Sequence, residues 1–229
     1  MEKHYAIAID GPSASGKSTA AKGVAKRLNF LYIDTGAMYR AFTLLMLEKK
    51  LDPKSPEDAK SLLNDVSLKE DREGHIYLNG KDVSTEIRSI EVTNNVSYAC
   101  AHKAVREKLV ELQQKMASDE NVVMDGRDIG TVVLKNADLK IYQVASVEAR
   151  AKRRYEEFLA HGVKVTYEEI KEDINRRDYI DSHRENSPLT KADDAILLDT
   201  SDMTIEEEIQ AIIDLFYQKV GGKWNSTEK

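Results

Sequence analysis

The chain has 229 residues, of which 41% are hydrophobic and 32% are charged, and it contains one cysteine. This length suits one compact domain with small appended lobes, and a single cysteine excludes an intrachain disulfide. The net charge of −6 argues against non-specific binding to nucleic acid or to an anionic membrane. Because we find neither a signal peptide nor a run of about 18 apolar residues, we expect a cytoplasmic protein that binds neither.

The first predicted elements are a buried strand at residues 5–9 and a helix at residues 19–28, joined by a glycine loop. The loop reads Gly11-Pro12-Ser13-Ala14-Ser15-Gly16-Lys17-Ser18 and matches the phosphate-binding P-loop pattern. Its glycines let backbone N–H groups curl around phosphate oxygens, and the following helix N-terminus adds partial positive charge. Lys17 is placed to reach the outer phosphates and the Ser18 hydroxyl to ligate Mg²⁺, so we expect a nucleoside triphosphate with Mg²⁺ as cofactor.

Strand and helix patterns then alternate along the chain, which predicts an α/β fold with a parallel sheet covered on both faces. The further strands are predicted at 30–33, 121–125, 139–144 and 195–199, and the main helices at 37–50, 90–118 with a break near 101–103, 146–160, 167–184 and 205–220. Ligands of such sheets bind at the carboxyl ends of the strands. Besides the glycine loop, Asp34-Thr35-Gly36 and Asp125-Gly126-Arg127-Asp128 are expected there.

The sequence pattern of residues 65–85 differs from the alternating strands and helices around it. It predicts a small antiparallel β insert. Short alternating segments flank the Asn79-Gly80 pair, which favours a hairpin turn because both residues tolerate positive φ. Whether this insert moves with a substrate-binding lobe or is a passive decoration stays open at this point. Further on, Thr166 is predicted to cap the helix that Pro188 ends, and Thr204 with Glu207 forms a capping box for the last helix.

The kind of P-loop protein is indicated by arginines. The chain lacks the N-K-x-D pattern of a GTPase, and a small kinase needs cations to hold a second anionic substrate opposite ATP. Candidate cations are Arg40, Arg127, Arg150, Arg153, Arg154, Arg177 and Arg184. The alternative is that these side chains form surface salt bridges with the many nearby glutamates.

The motifs resemble those of the long-form bacterial cytidylate kinases, which belong to the P-loop nucleoside monophosphate kinases. The resemblance covers residues 4–218 and rests on I-D-G-P-S-A-S-G-K-S-T at 9–19, D-T-G-A-M-Y-R at 34–40, V-R-E at 105–107, D-G-R-D-I-G-T-V-V at 125–133 and R-R-D-x-x-D-x-x-R at 176–184. It implies a three-layer P-loop NTPase fold with a five-stranded parallel sheet, a nucleoside monophosphate (NMP)-binding lobe carrying the β insert, and a helical lid. The implied divisions are a core of residues 1–35, 104–150 and 185–220, an NMP-binding lobe of residues 36–103, a lid of residues 151–184 and a disordered tail of residues 221–229.

The resemblance further implies the reaction ATP + CMP ⇌ ADP + CDP, with dCMP also accepted, by a monomeric enzyme of pyrimidine nucleotide metabolism. The implied ATP-binding residues are Gly11, Pro12, Ser13, Ala14, Ser15, Gly16, Lys17, Ser18, Thr19, Arg153 and Arg154. The implied CMP-binding residues are Thr35, Tyr39, Arg40, Ser97, Arg106, Arg127, Asp128, Arg177, Asp181 and Arg184. Lys17, Arg40, Arg127 and Arg184 are the implied catalytic residues, and Ser18, with Asp125 through water, the implied Mg²⁺ ligands.

The resemblance to the cytidylate kinases also implies how the protein would select cytosine. Asp128 stands where the family accepts the cytosine N4 amine, and Arg106 and Ser97 stand where it contacts N3 and O2. Uracil would turn its O4 toward Asp128 and leave a buried carboxylate unpaired, which costs about 1–3 kcal/mol. Two alternatives stay open: a kinase for another nucleoside monophosphate or a small acid such as shikimate, and a regulatory P-loop protein that switches a partner.

Overall fold

A parallel five-stranded sheet forms the centre of the computed structural model, which describes residues 4–160 and 162–221. The strands are β1 (Ala6–Asp10), β2 (Leu31–Asp34), β6 (Val122–Gly126), β7 (Leu139–Val144) and β8 (Ile196–Asp199). Their spatial order is β2-β6-β1-β7-β8. The predicted parallel sheet is confirmed; the predicted disordered tail lies, from residue 222 onward, outside the described residues.

Eight α-helices surround the sheet in the described part of the chain. They are α1 (Lys17–Leu28), α2 (Thr35–Glu48), α3 (Pro56–Ser61), α4 (Ile90–Ala99), α5 (Lys103–Met116), α6 (Val147–Ala160), α7 (Tyr167–His183) and α8 (Ile205–Val220). Because successive side chains of a strand point to opposite faces, Ile7 and Ile9 of β1 pack with α1 and α8, whereas Ala8 packs with α2 and α5. The result is the predicted three-layer arrangement.

The strand register brings three acidic residues to one edge of the sheet. Asp10 pairs with Gly126 across β1 and β6, and Asp34 pairs with Asp125 across β2 and β6. Asp10 and Asp34 end their strands, and Asp125 is the last residue but one of β6. The glycine loop, the start of α2 and the segment after β6 therefore meet at the carboxyl edge. Asp34 accepts a hydrogen bond from the Ala37 N–H (2.8 Å) and caps α2, which therefore begins at Thr35, earlier than the predicted residue 37.

The predicted β insert is present as a second, antiparallel sheet. Its strands are β3 (Leu68–Glu70), β4 (Ile76–Leu78) and β5 (Lys81–Asp82). Asn79 and Gly80 have φ values of 51° and 83°, as expected for the hairpin turn that joins β4 and β5. Apolar residues of the insert share one core with Met38 and Phe42 of α2, so the insert is packed against this helix.

Helices α6 and α7 pack against each other as a hairpin with a small apolar core of their own, around Ala151, Ile170 and Ile174. The predicted Thr166 cap is present and forms a full capping box with Glu169. Helix α7 ends at His183, earlier than predicted, because Arg184 is extended and its Nε–H donates to the Ser187 carbonyl (2.7 Å). None of the helices in the described ranges is long and apolar enough to span a bilayer.

Candidate functional site

One cavity of about 1100 Å³ opens at the carboxyl edge of the sheet. It is lined by every site residue predicted from the sequence except Gly11 and Pro12. Gly11 and Pro12 do not line the cavity but contact residues next to it. A Cβ on Gly11 would stand 2.1 Å from the Gln143 carbonyl oxygen of β7, and the Pro12 carbonyl accepts a hydrogen bond from Lys17 Nζ (3.2 Å).

The glycine loop needs unusual backbone angles. Ala14 has φ 59° and Gly16 has φ 90°, and Gly16 is the N-cap of α1 without any side-chain hydrogen bond to the helix. The N-terminal N–H groups of α1 therefore begin at the cavity wall, where an anion is favoured. Lys17 is only 6% exposed. Burial, followed by the charge of Arg127, lowers the pKa of Lys17 to about 7, and bound phosphate would restore its charge.

Ser18 and Asp125 lie in direct contact. The Ser18 hydroxyl donates to Asp125 Oδ2 (2.7 Å), and the Tyr32 hydroxyl donates to Asp125 Oδ1 (2.8 Å). Burial, followed by the charge of Asp34, raises the pKa of Asp125. A hydroxyl beside a carboxylate at the phosphate loop fits Mg²⁺, which prefers hard oxygen ligands and keeps several waters. Thr35, predicted to touch substrate, donates its hydroxyl to the Asp125 carbonyl (2.6 Å).

A buried ion pair forms the far wall of the cavity. Arg106 Nη2 donates to Asp128 Oδ2 at 2.5 Å, and both residues are almost fully buried. The Arg106 guanidinium also lies 5.2 Å from the centre of the Tyr39 ring. The ion pair thus presents a carboxylate and a guanidinium side by side, beneath an aromatic ring. Ser97 of α4 lines the same part of the cavity.

Between the glycine loop and this pair, cations predominate. Arg127 Nε donates to Asp181 Oδ2 (2.7 Å), and Arg184 lies 3.8 Å from both Asp181 and Asp128. Although burial alone would raise it, the charge of Arg127 and its hydrogen bond hold the pKa of Asp181 below its usual value. Arg40 donates to Asp34 Oδ2 at 3.3 Å. Burial, followed by the charge of Arg127, lowers the pKa of Arg177 to about 10.

Unsatisfied polar atoms concentrate in this cavity. In the described chain, seven buried side-chain nitrogen or oxygen atoms have no hydrogen-bond partner, and five of them belong to cavity residues. These five are Ser15 Oγ, Tyr39 Oη, Arg40 Nε, Arg106 Nε and Arg184 Nη2. Because buried polar groups are nearly always hydrogen-bonded, their clustering indicates a polar ligand site, with three guanidinium groups suited to an anion.

The arginines of the α6–α7 hairpin have different partners. Arg150 Nη1 donates to the Ser13 carbonyl (2.9 Å) and to Asp178 Oδ2 (2.6 Å), so it ties the hairpin to the glycine loop and does not line the cavity. Arg153, predicted to contact ATP, donates to the carbonyls of Ser15 (3.2 Å) and Thr200 (2.6 Å). The Arg154 guanidinium lies in the cavity wall, 5.0 Å from the centre of the Phe158 ring.

Three buried acids were missed by sequence reasoning: Asp10, Glu70 and Glu208, the last of which lines the cavity beside Arg153. Asp10 accepts the N–H groups of Ile129 and Gly130 (2.8 Å each), which fixes the π-helical turn that follows Asp128. Its position directly before Gly11 was the available signal. Glu70 of the β insert lines the cavity and accepts the Asp34 N–H (2.9 Å). No local pattern marks Glu70, because its role depends on how the insert folds back onto the core.

Comparisons with known proteins agree with this geometry. Residues 7–218 match the family model described as cytidylate kinase. The cytidylate kinase of Lactobacillus johnsonii is 50% identical over 219 residues, covering 93% of this chain and 94% of the relative. That of Bacillus cereus is also 50% identical, covering 94% and 97%. A crystal structure of an uncharacterized protein from Eubacterium ventriosum aligns with TM-score 0.52 and 14% identity, covering 94% of this chain and 99% of that one; this likeness concerns the fold alone.

Proposed function

The chain belongs to the cytidylate kinase family, and we propose that it transfers the γ-phosphoryl group of ATP to CMP and dCMP. The proposal rests on one observation above all: a single cavity joins the P-loop to the buried Arg106–Asp128 pair, with Arg40, Arg127 and Arg184 between them. Two anionic substrates can therefore enter one cavity from opposite ends. The fold of a P-loop kinase and the names of the relatives support the same activity.

Phosphoryl transfer requires that the two substrates are positioned and that the charge of the transferred group is stabilised. The attacking atom is a phosphate oxygen of CMP, which is ionised at neutral pH and needs no general base. The obstacle is to hold two polyanions in line and to stabilise the charge on the transferred group. Lys17 and the loop amides bind the β- and γ-phosphates of ATP. Arg40, Arg127 and Arg184 bind the acceptor phosphate, and the unpaired Nε of Arg40 and Nη2 of Arg184 supply donors for the transition state.

Mg²⁺ fits beside Ser18 and Asp125, where, when bound, it would neutralise charge on the β- and γ-phosphates. In the described residues there is no group of three His, Cys, Asp or Glu side chains placed to bind a metal ion. Ser18, and Asp125 through a water molecule, would hold such an ion together with ATP. Tyr32 keeps the Asp125 carboxylate oriented toward Ser18.

The Arg106–Asp128 pair reads the base. Asp128 accepts from the N4 amine of cytosine, and Arg106 donates to N3 and O2, with Ser97 nearby. With UMP, the O4 carbonyl faces the carboxylate of Asp128, and two acceptors meet in a buried place. A mismatch of this kind costs about 1–3 kcal/mol, so UMP loses roughly ten- to hundredfold in kcat/KM. The hairpin of α6 and α7 closes over ATP and excludes water.

The substrate panel is the direct test. The purified protein is mixed with ATP, Mg²⁺ and each of CMP, dCMP, UMP, AMP and GMP, and ADP release is followed. We expect strong turnover with CMP and dCMP and little with UMP. Equal rates with UMP would refute the base-reading role of Asp128 but keep the kinase. No turnover with any of the five would refute the kinase and favour a nucleotide-dependent switch.

A further inference from the structure

The β insert brings a buried carboxylate to the substrate cavity. Glu70 is 8% exposed and lies at the end of β3, whose residues Leu68 and Glu70 point inward while Lys69 points to solvent. A buried acid costs folding free energy that an apolar residue would not cost. Burial, followed by the charge of Asp34, raises the pKa of Glu70 to about 8. Neither the P-loop, the arginine clamp nor the base-reading pair includes this residue.

The hydrogen bond of Glu70 goes to a critical peptide. Its Oε2 accepts the Asp34 N–H at 2.9 Å, at the point where β2 ends and α2 begins. Strand β2 lies at the edge of the sheet, so N–H groups on its open side need an acceptor from elsewhere. Glu70 supplies this acceptor, and it thereby fixes the position of Asp34.

Asp34 in turn holds two groups. Its Oδ1 accepts the Ala37 N–H (2.8 Å), which fixes the first turn of α2, and its Oδ2 accepts from Arg40 Nη2 (3.3 Å). Arg40 lines the cavity and has a buried Nε without a hydrogen-bond partner. A continuous chain of hydrogen bonds therefore runs from Glu70 through Asp34 to the guanidinium that faces the acceptor phosphate.

The insert is also held from its other end. The Glu73 carbonyl, in the turn between β3 and β4, accepts a hydrogen bond from Lys22 Nζ of α1 (3.2 Å). Helix α1 begins at the P-loop, so the insert spans from the ATP side of the cavity to the start of α2. With Ile76 and Leu78 packed in the core of α2, this arrangement gives Glu70 a fixed position.

We propose that Glu70 is a positioning residue of the acceptor-phosphate site: it holds Asp34, and through Asp34 it holds Arg40 in the orientation that binds the phosphate of CMP. This inference rests on the proposed function, because Arg40 binds an acceptor phosphate only in a kinase. It gives the β insert a role in substrate binding and excludes a passive decoration.

Steady-state kinetics of Glu70 variants test the proposal. Glu70→Ala removes the acceptor of the Asp34 N–H, so KM for CMP should rise roughly tenfold. KM for ATP should stay within about twofold of the wild-type value. Glu70→Gln keeps an acceptor oxygen and should restore KM for CMP to within about twofold of wild type. Glu73→Gln, an exposed change in the adjoining turn, is the matched control and should change neither constant.

A double-mutant cycle shows whether Glu70 acts through Arg40. In an Arg40→Met background, Glu70→Ala should raise KM for CMP no further. If Glu70→Ala does not unfold cooperatively, Glu70→Asp takes its place, since it keeps the carboxyl group but is too short to reach the Asp34 N–H. Unchanged KM for CMP, equal shifts of both KM values, or full additivity with Arg40→Met would overturn the inference. If the proposed function itself is wrong, the wild-type protein will phosphorylate no monophosphate. That result is obtained before any variant is measured, so the two failures can be told apart.

Discussion

At the scale of single residues, the cavity contains charged side chains that are paired with opposite charges. A buried charge without such a partner would cost folding free energy. Asp128 is paired with Arg106, Asp181 with Arg127, and Asp34 with Arg40. The Nε atoms of Arg106 and Arg40 are buried and have no hydrogen-bond partner in the described chain. Charge-assisted hydrogen bonds of this kind are about twice as strong as neutral ones. A phosphate entering the cavity therefore meets donors that are already oriented.

The buried acid Glu70 makes stability depend on pH. Its pKa rises from the ordinary 4.5 to about 8 in the folded protein. Between these values folded Glu70 keeps a proton that the unfolded chain has lost, so stability falls as pH rises through this window. We therefore compare the free energy of unfolding of the wild type with that of Glu70→Gln. The wild-type value minus the variant value should fall on the order of a few kcal/mol between about pH 4.5 and pH 8 and then level off.

Urea unfolding of both proteins at matched pH values measures this difference. The comparison with Gln removes the contributions of all other titrating groups, because the two chains share them. A difference that stays constant across the window, or that grows in favour of the wild type as pH rises, would contradict the burial of an ionisable Glu70.

At the scale of elements, the buried Arg150 ties the α6–α7 hairpin to the P-loop. Arg150 of α6 donates to the Ser13 carbonyl and to Asp178 of α7, and Asp178 accepts the Ser13 N–H (3.2 Å). Both helices thus hold Ser13. The strand and helix patterns could not show this, because Arg150 looks the same in sequence as the cavity-lining Arg153 and Arg154.

Replacing Arg150 should weaken ATP binding more than CMP binding. In Arg150→Met the Ser13 carbonyl loses its hydrogen-bond donor, so KM for ATP should rise roughly tenfold with little change in KM for CMP. Arg176→Met is the control, since Arg176 is exposed and pairs with Asp173 on its own helix. The kinetic constants of both variants check this. Equal effects on the two substrates, or none, would show that the lid does not hold the loop through Arg150.

Elements with strong local signals could be predicted from the sequence. The glycine loop, the Asn79–Gly80 hairpin and the Thr204 capping box depend on nearby residues, and all three occur in the structure. The π-helical turn at Ile129–Val133 could not be predicted, because Asp10, about 120 positions earlier, holds its N–H groups. The site residues predicted by resemblance, except Gly11 and Pro12, line one cavity. Glu70 could be found only from the folded insert.

At the scale of the whole molecule, the charge of the side chains that line the cavity is opposite in sign to the net charge of the chain. The chain carries −6, whereas ten Lys and Arg side chains against seven Asp and Glu line the cavity. An acidic exterior disfavours non-specific binding of polyanions, and a cationic cleft with low-dielectric walls attracts small ones. The β insert lines the α2 side of this cleft, and the α6–α7 hairpin lines the P-loop side. The monomeric state and the domain boundaries stay predictions.

The fate of the γ-phosphate tests the central claim most directly. The protein is incubated with Mg²⁺, CMP and ATP labelled at the γ-phosphate, and the labelled products are separated. Direct transfer within an enclosed cavity predicts label in CDP and little in inorganic phosphate. Label in inorganic phosphate with CMP unchanged would contradict the account, because it would show a nucleotide hydrolase in which the arginine-lined half of the cavity receives no acceptor.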